Sequence, residues 1–498
     1  MRKYTYFSSS RIKMKHIVIS LHRAFFKEMN SFYQFGMGIL YPTVLLLVGI
    51  FFMLRLRAFF VFHPLRVTKI FFKKNSIEGG VSPFRAVCVA LAGTLGVGNI
   101  VGVAVALKIG GPGAMFWMWV SAFLLMPVKY AEIALALVTR KKRTEKGKEQ
   151  YYGGPMYYIG ENQKAPKLGM RAAQIFSVLC IFSSLILGNM MQINAAAVSL
   201  ESTLGISKYI SGAVLMILSA MIVFGGIQSI GSFCVKSIPA MSLMFMGISM
   251  WIIIQNASMI PSILQTIVKE AFVPRAIGGG IGASAFLQTL RQGLAKGVLT
   301  HEAGCGTSPI SHASANTKSP VEQGFWGIFE VFADTFVLCS MTALVILIGA
   351  QKADIFALDG ILSTIAAYEI FIGPAAGIII SVSVLFFAFA TVISWSYYGI
   401  ECIRFLNKKR PLKTGLWIKS YLSLYCVLIL VAAVTHFSKM FEISDLLNLM
   451  MTIINTMFLC LESKRIKKLT DAYFQKTELK VWQSGFAIPA LHAQEKKE

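Results

Sequence analysis

Long apolar stretches recur along the chain, separated by short basic runs, and no other feature limits its fold as strongly. A bilayer core needs roughly 20 apolar residues per helix. By that rule the sequence offers eleven segments, at about 33–61, 82–108, 113–139, 172–200, 208–226, 237–256, 283–315, 323–350, 374–403, 415–435 and 443–461. Charged residues are only 14% of the chain, whereas a soluble domain carries nearer a quarter. A water-facing surface of this size would not be covered. The composition therefore disfavours a soluble enzyme, a disordered chain or a disulfide scaffold, and the predicted class is an all-α polytopic membrane protein. The seventh segment is rich in glycine and polar residues and scores poorly on hydropathy alone.

The net charge of +25, from 48 basic and 23 acidic residues, does not call for nucleic acid. The bases gather between apolar stretches: Arg55 to Lys74, Arg140 to Arg143, Arg404 to Lys419, and Lys464 to Lys468. Such runs mark cytoplasmic loops facing anionic membrane lipid. Alternate loops are poorer in bases. Eleven spans then put the N-terminus outside and the C-terminus in the cytoplasm of a cell (inner) membrane protein. The basic segment 1–32 runs against this scheme. Either its part 16–26 lies along the membrane surface, or the true start is later, at Met14 or Met29. The tail 462–498 reads as basic, cytoplasmic and solvated. The eight cysteines lie in or beside apolar stretches with no C-x-x-C pair, so they read as free thiols.

Two spans carry sequence that resists a continuous helix. The first holds Ala92-Gly93-Thr94-Leu95-Gly96-Val97-Gly98-Asn99-Ile100, and the second His301-Glu302-Ala303-Gly304-Cys305-Gly306-Thr307-Ser308-Pro309. Glycine costs about 1 kcal/mol and proline about 3 inside a helix. In a bilayer, loosened backbone persists only where protein or a watery cavity satisfies it. The breaks fall in the second and seventh spans, the spacing expected of two inverted repeats, 82–256 and 257–461, after an extra helix at 33–61. Paired interruptions of this kind point to a transporter's midplane site. A half-helix that begins at a break offers N–H groups to a carboxylate, and one that ends there offers carbonyls to a small hard cation. The two breaks are expected to face each other.

The runs Ala92–Ile100 and Gly110–Ala114, then Gly153–Tyr158, Gly188–Gln192, Glu302–Gly304, Asp334-Thr335, Thr342–Leu347 and Trp395–Gly399 occur in that order. Together they resemble the alanine/glycine:cation symporter family (sodium:alanine symporters) over about 33–461. The resemblance implies a leucine-transporter-type fold of five plus five helices preceded by one extra helix. It implies uptake of small neutral amino acids, alanine or glycine in the L or D form, driven by the sodium ion and in some members by protons. It implies no cofactor. Carried over, Gly96, Val97, Gly98 and Asn99 meet the substrate carboxylate, the Leu95 carbonyl and Asn99 lie near the ion, and Gln192 faces the pocket. Gly304 and Gly306 frame the second break. Trp395 closes a wall against side chains larger than methyl, and Thr391, one turn earlier, is a second sodium ligand. The chain departs from the family pattern at Val97, often Thr, at His301, usually Asn, and at Ala390, often Ser or Thr.

Charges within spans are costly and often functional. Glu302 reads as a gate or coupling group, or as a structural partner of Arg291 or Lys296, or as a cap on loosened N–H groups. Asp334 reads as a bundle hydrogen-bonding group or as part of an ion path. Lys108, Lys129, Glu132 and Glu401 are expected to snorkel from span ends. A metallopeptidase motif would need histidine where Cys305 stands, which disfavours an intramembrane enzyme. An amino-acid sensor without flux is the remaining distant alternative.

Overall fold

The computed structural model describes residues 36–69, 81–145, 148–272, 283–408, 410–435 and 440–475. The expectations for residues 1–32 and for most of the basic tail lie outside them. Within them the chain is almost entirely helical. Eight helices are long and apolar enough to cross a bilayer, and the bent pair Pro83–Thr94 and Val97–Gly110 makes a ninth span. Two expected segments fall short of that test. Lys208–Val223 has only 16 residues, and the polar seventh segment is divided into Ala283–His301 and Ser308–His312.

Local sequence sets where these helices begin. Ser82 accepts from the Arg85 N–H at 3.2 Å, with Pro83 at the first helical position. Ser319 does the same for Glu322 at 3.2 Å, ahead of Pro320. Both are N-caps followed by a proline that needs no partner for its nitrogen. The segment after the basic Arg140 folds into a hairpin of Lys141–Glu145 and Lys148–Tyr152. Arg140 ties that hairpin to the Ala315 and Thr317 carbonyls at 2.5 and 2.8 Å.

The helices that carry the site interleave. Ala283–His301 packs on both Val101–Gly110 and Gly113–Val138, and Pro320–Val331 lies against Gly113–Val138. On the other side, Met191–Leu204 and Gly226–Gln255 pack on Pro374–Leu406. Close approach depends on small residues, because hydrocarbon supplies no hydrophobic force between membrane helices. A Cβ on Gly293 would come within 2.5 Å of the Ala114 carbonyl, and one on Gly297 within 2.3 Å of Ser121 Oγ. These two glycines, one turn apart, let the second broken span lie flush on Gly113–Val138. Gly297→Val should therefore lower stability by roughly 1–3 kcal/mol through overpacking, read as a lower unfolding midpoint in detergent. Gly247→Ala, whose Cβ meets nothing within 4 Å, should leave the midpoint at or above that of the wild type.

Candidate functional site

The first break is a bend of 56° between Pro83–Thr94 and Val97–Gly110. Leu95 and Gly96 leave the helix, and Val97–Asn99 form one tight 3-10 turn. Thr94 Oγ1 folds back on the Ala90 carbonyl at 3.3 Å, so its hydroxyl competes with the backbone ladder. The Val97 N–H, released by the break, donates to Gln192 Oε1 at 2.8 Å. Gln192 follows the π-helical turn Ile186–Met190, and its Nε2 donates to the Leu187 carbonyl at 3.1 Å. Its amide oxygen is thereby turned toward the break. Only glycine fits at position 96, where a Cβ would lie 2.7 Å from Thr391 Oγ1 and 2.8 Å from Gln192 Oε1.

Thr391 and Trp395 reach the other side of the break. Thr391 Oγ1 donates to the Ala92 carbonyl at 2.8 Å, and Trp395 Nε1 donates to the Gly93 carbonyl at 3.1 Å. Both therefore engage carbonyls at the end of the first half-helix. Trp395 is fully buried, and its indole fills the space beside Gly188, where a Cβ would come within 2.3 Å of the ring. Asn99 turns toward the Pro320–Ala350 span. Its Nδ2 donates to Asp334 Oδ1 at 2.5 Å, while Asn99 Oδ1 is buried with no hydrogen-bond partner among the described residues. The other Asp334 oxygen accepts from Thr335 Oγ1 at 2.8 Å. Asp334 and Thr335 sit in the π-helical turn Phe332–Cys339, a local widening of the kind that recurs at functional sites. An uncommitted amide oxygen beside a carboxylate suits a small hard cation.

The second break is a longer stretch of loosened backbone. It runs from Glu302 to Thr307, with positive φ at Glu302 (52°), Gly304 (91°) and Gly306 (81°). Gly304 lies against Thr452 and Thr456, and Gly306 against Pro155 and Asn455. The two broken spans pack half-helix on half-helix: Ala283–His301 lies on Val97–Asn99 and Val101–Gly110, and Ser308–His312 on Pro83–Thr94. The first break meets the helical turn just ahead of the second, since a Cβ on Gly98 would lie 3.6 Å from the Leu299 carbonyl and from Thr300 Cγ2.

Three of the charges expected to snorkel do not. Lys129, Glu132 and Glu401 are 0% exposed. Roughly 14 Å of helix separates Lys129 from the end at Val138 at the standard α-helical rise, too far for the ammonium to reach water. Lys129 Nζ instead binds the His301 carbonyl at 2.9 Å, Ser308 Oγ at 2.6 Å and Glu330 Oε1 at 3.2 Å. It thus pins both sides of the second break and opposes the negative end of the Ala283–His301 helix. Glu330 also accepts from His312 at 3.2 Å. Glu401 holds Arg143 of the hairpin through two bonds of 2.8 and 2.7 Å. Lys108, near its helix end, reaches the exposed Asp359 at 2.6 Å. Glu302 accepts from the Thr307 hydroxyl. Lys296 pairs with Asp445 at 2.8 Å rather than with Glu302, and the Ala303 N–H is capped by His301 Nδ1 at 3.1 Å. Sequence reasoning missed Lys129 and Glu330 as a pair. The available signal was the depth of Lys129 and Glu132, beyond snorkelling reach and three residues apart on one face.

Freed peptide groups in mid-membrane, met by a carboxamide, a hydroxyl and an amide oxygen beside a carboxylate, define a secondary transporter. The family model of the sodium:alanine symporter family matches residues 21–485, and the chain belongs to that family. It is a multi-pass, sodium-coupled amino-acid transporter and not an enzyme. It is 34% identical over 464 residues to the sodium/alanine symporter AgcS of Methanococcus maripaludis, covering 92% of this chain and 99% of that one. It is also 34% identical over 389 residues to the putative sodium/proton-dependent alanine carrier protein YrbD of Bacillus subtilis, covering 75% and 77%. Among solved structures, MhsT in complex with L-phenylalanine shares the fold, with a TM-score of 0.56 at 11% identity over 83% of this chain and all of that one.

Gly96→Ala should leave the protein inserted but abolish sodium-driven amino-acid uptake, because the added methyl displaces Gln192 and Thr391. Undiminished uptake would place the site elsewhere.

Proposed function

We propose that this chain takes up small neutral amino acids, alanine and glycine in the L or D form, by symport with sodium through alternating access in the inner membrane. The carrying observation is the first break, where the Val97 N–H meets an acceptor oxygen of Gln192. A substrate carboxylate offers the same kind of oxygen, and the N-terminal end of Val101–Gly110 favours its negative charge. Gly96 to Asn99 then grip the carboxylate. Asn99 Oδ1 and the Leu95 carbonyl take one sodium, with Asp334 alongside, and Thr391 with the end of the first half-helix takes a second. The tight fit of Gly96, Gln192 and Thr391 favours a side chain no larger than methyl, with Trp395 filling the space behind. Gly304 and Gly306 bring the second break to the substrate, and Glu302 gates it.

The span arrangement belongs to the same proposal. It has eleven spans, an extra helix at 33–61 followed by repeats at 82–256 and 257–461, an outside N-terminus and a cytoplasmic C-terminus. Support comes from the first long helix of each repeat being the one that breaks. A second reading is proton-coupled symport of the same substrates. It is favoured by the buried carboxylates around the second break and by the similarity to a Bacillus subtilis protein named as a putative sodium/proton-dependent alanine carrier.

Purified protein in proteoliposomes with an inward sodium gradient should accumulate labelled alanine. Excess glycine should compete and a large neutral amino acid should not. Asn99→Ala should lower sodium-driven uptake at least tenfold. Uptake indifferent to sodium but abolished by collapsing a proton gradient would replace the ion assignment with the second reading.

A further inference from the structure

Glu132 has no role in the site just described. It lies in the interior of Gly113–Val138, fully buried. Oε1 accepts from Asn455 Nδ2 at 2.6 Å, and Oε2 has no hydrogen-bond partner among the described residues. An ionised carboxylate held this way in a membrane protein is costly unless a positive charge sits against it. The neighbouring ammonium is already committed. Lys129 has three donors, directed to the His301 carbonyl, Ser308 Oγ and Glu330. The remaining groups around this pocket add no cation. Glu302 is another carboxylate bound to Thr307. His301 holds the Ala303 N–H and His312 holds Glu330. Cys305 contacts Thr452 at 3.4 Å, and Tyr158 donates to Asn455 Oδ1.

A metal ion does not fit. A hard cation needs several oxygen ligands. Here the Gly304 carbonyl is taken by Asn455 Nδ2 at 2.8 Å, and Asn455 Oδ1 is taken by Tyr158. A proton needs one oxygen and no room, and burial without a counter-charge favours the neutral acid. The same Asn455 amide binds both Glu132 and the Gly304 carbonyl at the second break, so the backbone that loosens there is tied to the carboxyl.

We propose that Glu132 is a proton-binding site inside the bilayer, loaded while Asn455 ties it to the Gly304 carbonyl and unloaded when the second break moves. The proton joins Oε2 from one side of the membrane and leaves to the other, and no other bond changes. Transport then carries a proton in addition to the sodium ion. This coupling rests on the symport reading, whereas the protonation of Glu132 does not.

Two measurements on the full-length protein separate these claims. Infrared difference spectra at neutral pH between wild type and Glu132→Gln, which keeps an acceptor for Asn455, should show the loss of one protonated-carboxyl carbonyl band. No lost band overturns the proposal. In vesicles loaded with a pH-sensitive dye, external alanine should acidify the lumen in wild type and not in a monodisperse Glu132→Gln. Acidification that persists in the variant, or is missing from a wild type that exchanges labelled alanine, also overturns it. A wild type that exchanges no alanine contradicts the symport reading, and the infrared band still decides whether Glu132 holds the proton.

Discussion

In hydrocarbon every peptide N–H and carbonyl needs a partner from protein, ligand or trapped water. A helix that comes undone in mid-membrane is therefore a liability unless its freed groups are used. The organisation of this protein follows from how two such breaks are satisfied. At the first, Gln192 takes the Val97 N–H, while Thr391 and Trp395 donate to the Ala92 and Gly93 carbonyls. At the second, Lys129 and Asn455 hold the His301 and Gly304 carbonyls. The partners come from Met191–Leu204, Pro374–Leu406, Gly113–Val138 and Met440–Phe474. The breaks thus act as junctions where elements distant in sequence are fastened.

The two junctions differ in chemistry. The first meets its peptide groups with the neutral side chains of Gln192, Thr391 and Trp395 and sets Asn99 beside the Asp334 carboxylate. The second is held by a tethered ammonium and two further carboxylates, Glu302 and Glu330, neither of which meets Gly96–Asn99 in a hydrogen bond. Small ligands suit the first, and a charge-sensitive hinge suits the second. The π-helical turns Ile186–Met190 and Phe332–Cys339 serve the first junction, since Gln192 follows the one, Asp334 lies within the other, and both are buried.

Much of this was legible in the chain itself. Apolar length locates most of the spans, and glycine beside polar residues marks both breaks. The family resemblance also places Gln192, Thr391 and Trp395 together, and they do converge on the first break. What the sequence hides is long-range pairing. Nothing local to Lys129 says that Glu330 lies against it, or that Lys296 meets Asp445 rather than Glu302. The snorkelling expectation for Lys129, Glu132 and Glu401 failed because it weighs only distance to the nearest span end, not the partners that other helices bring.

The account turns on peptide groups at the first break being the ones that bind. Hydrogen–deuterium exchange of a peptide covering residues 95–100 measures this directly. With alanine and sodium together, the amides of this stretch should exchange markedly more slowly than with either alone, while the interior of Gly226–Gln255 stays unchanged. Equal exchange under all conditions, in a protein that still binds alanine, would contradict it.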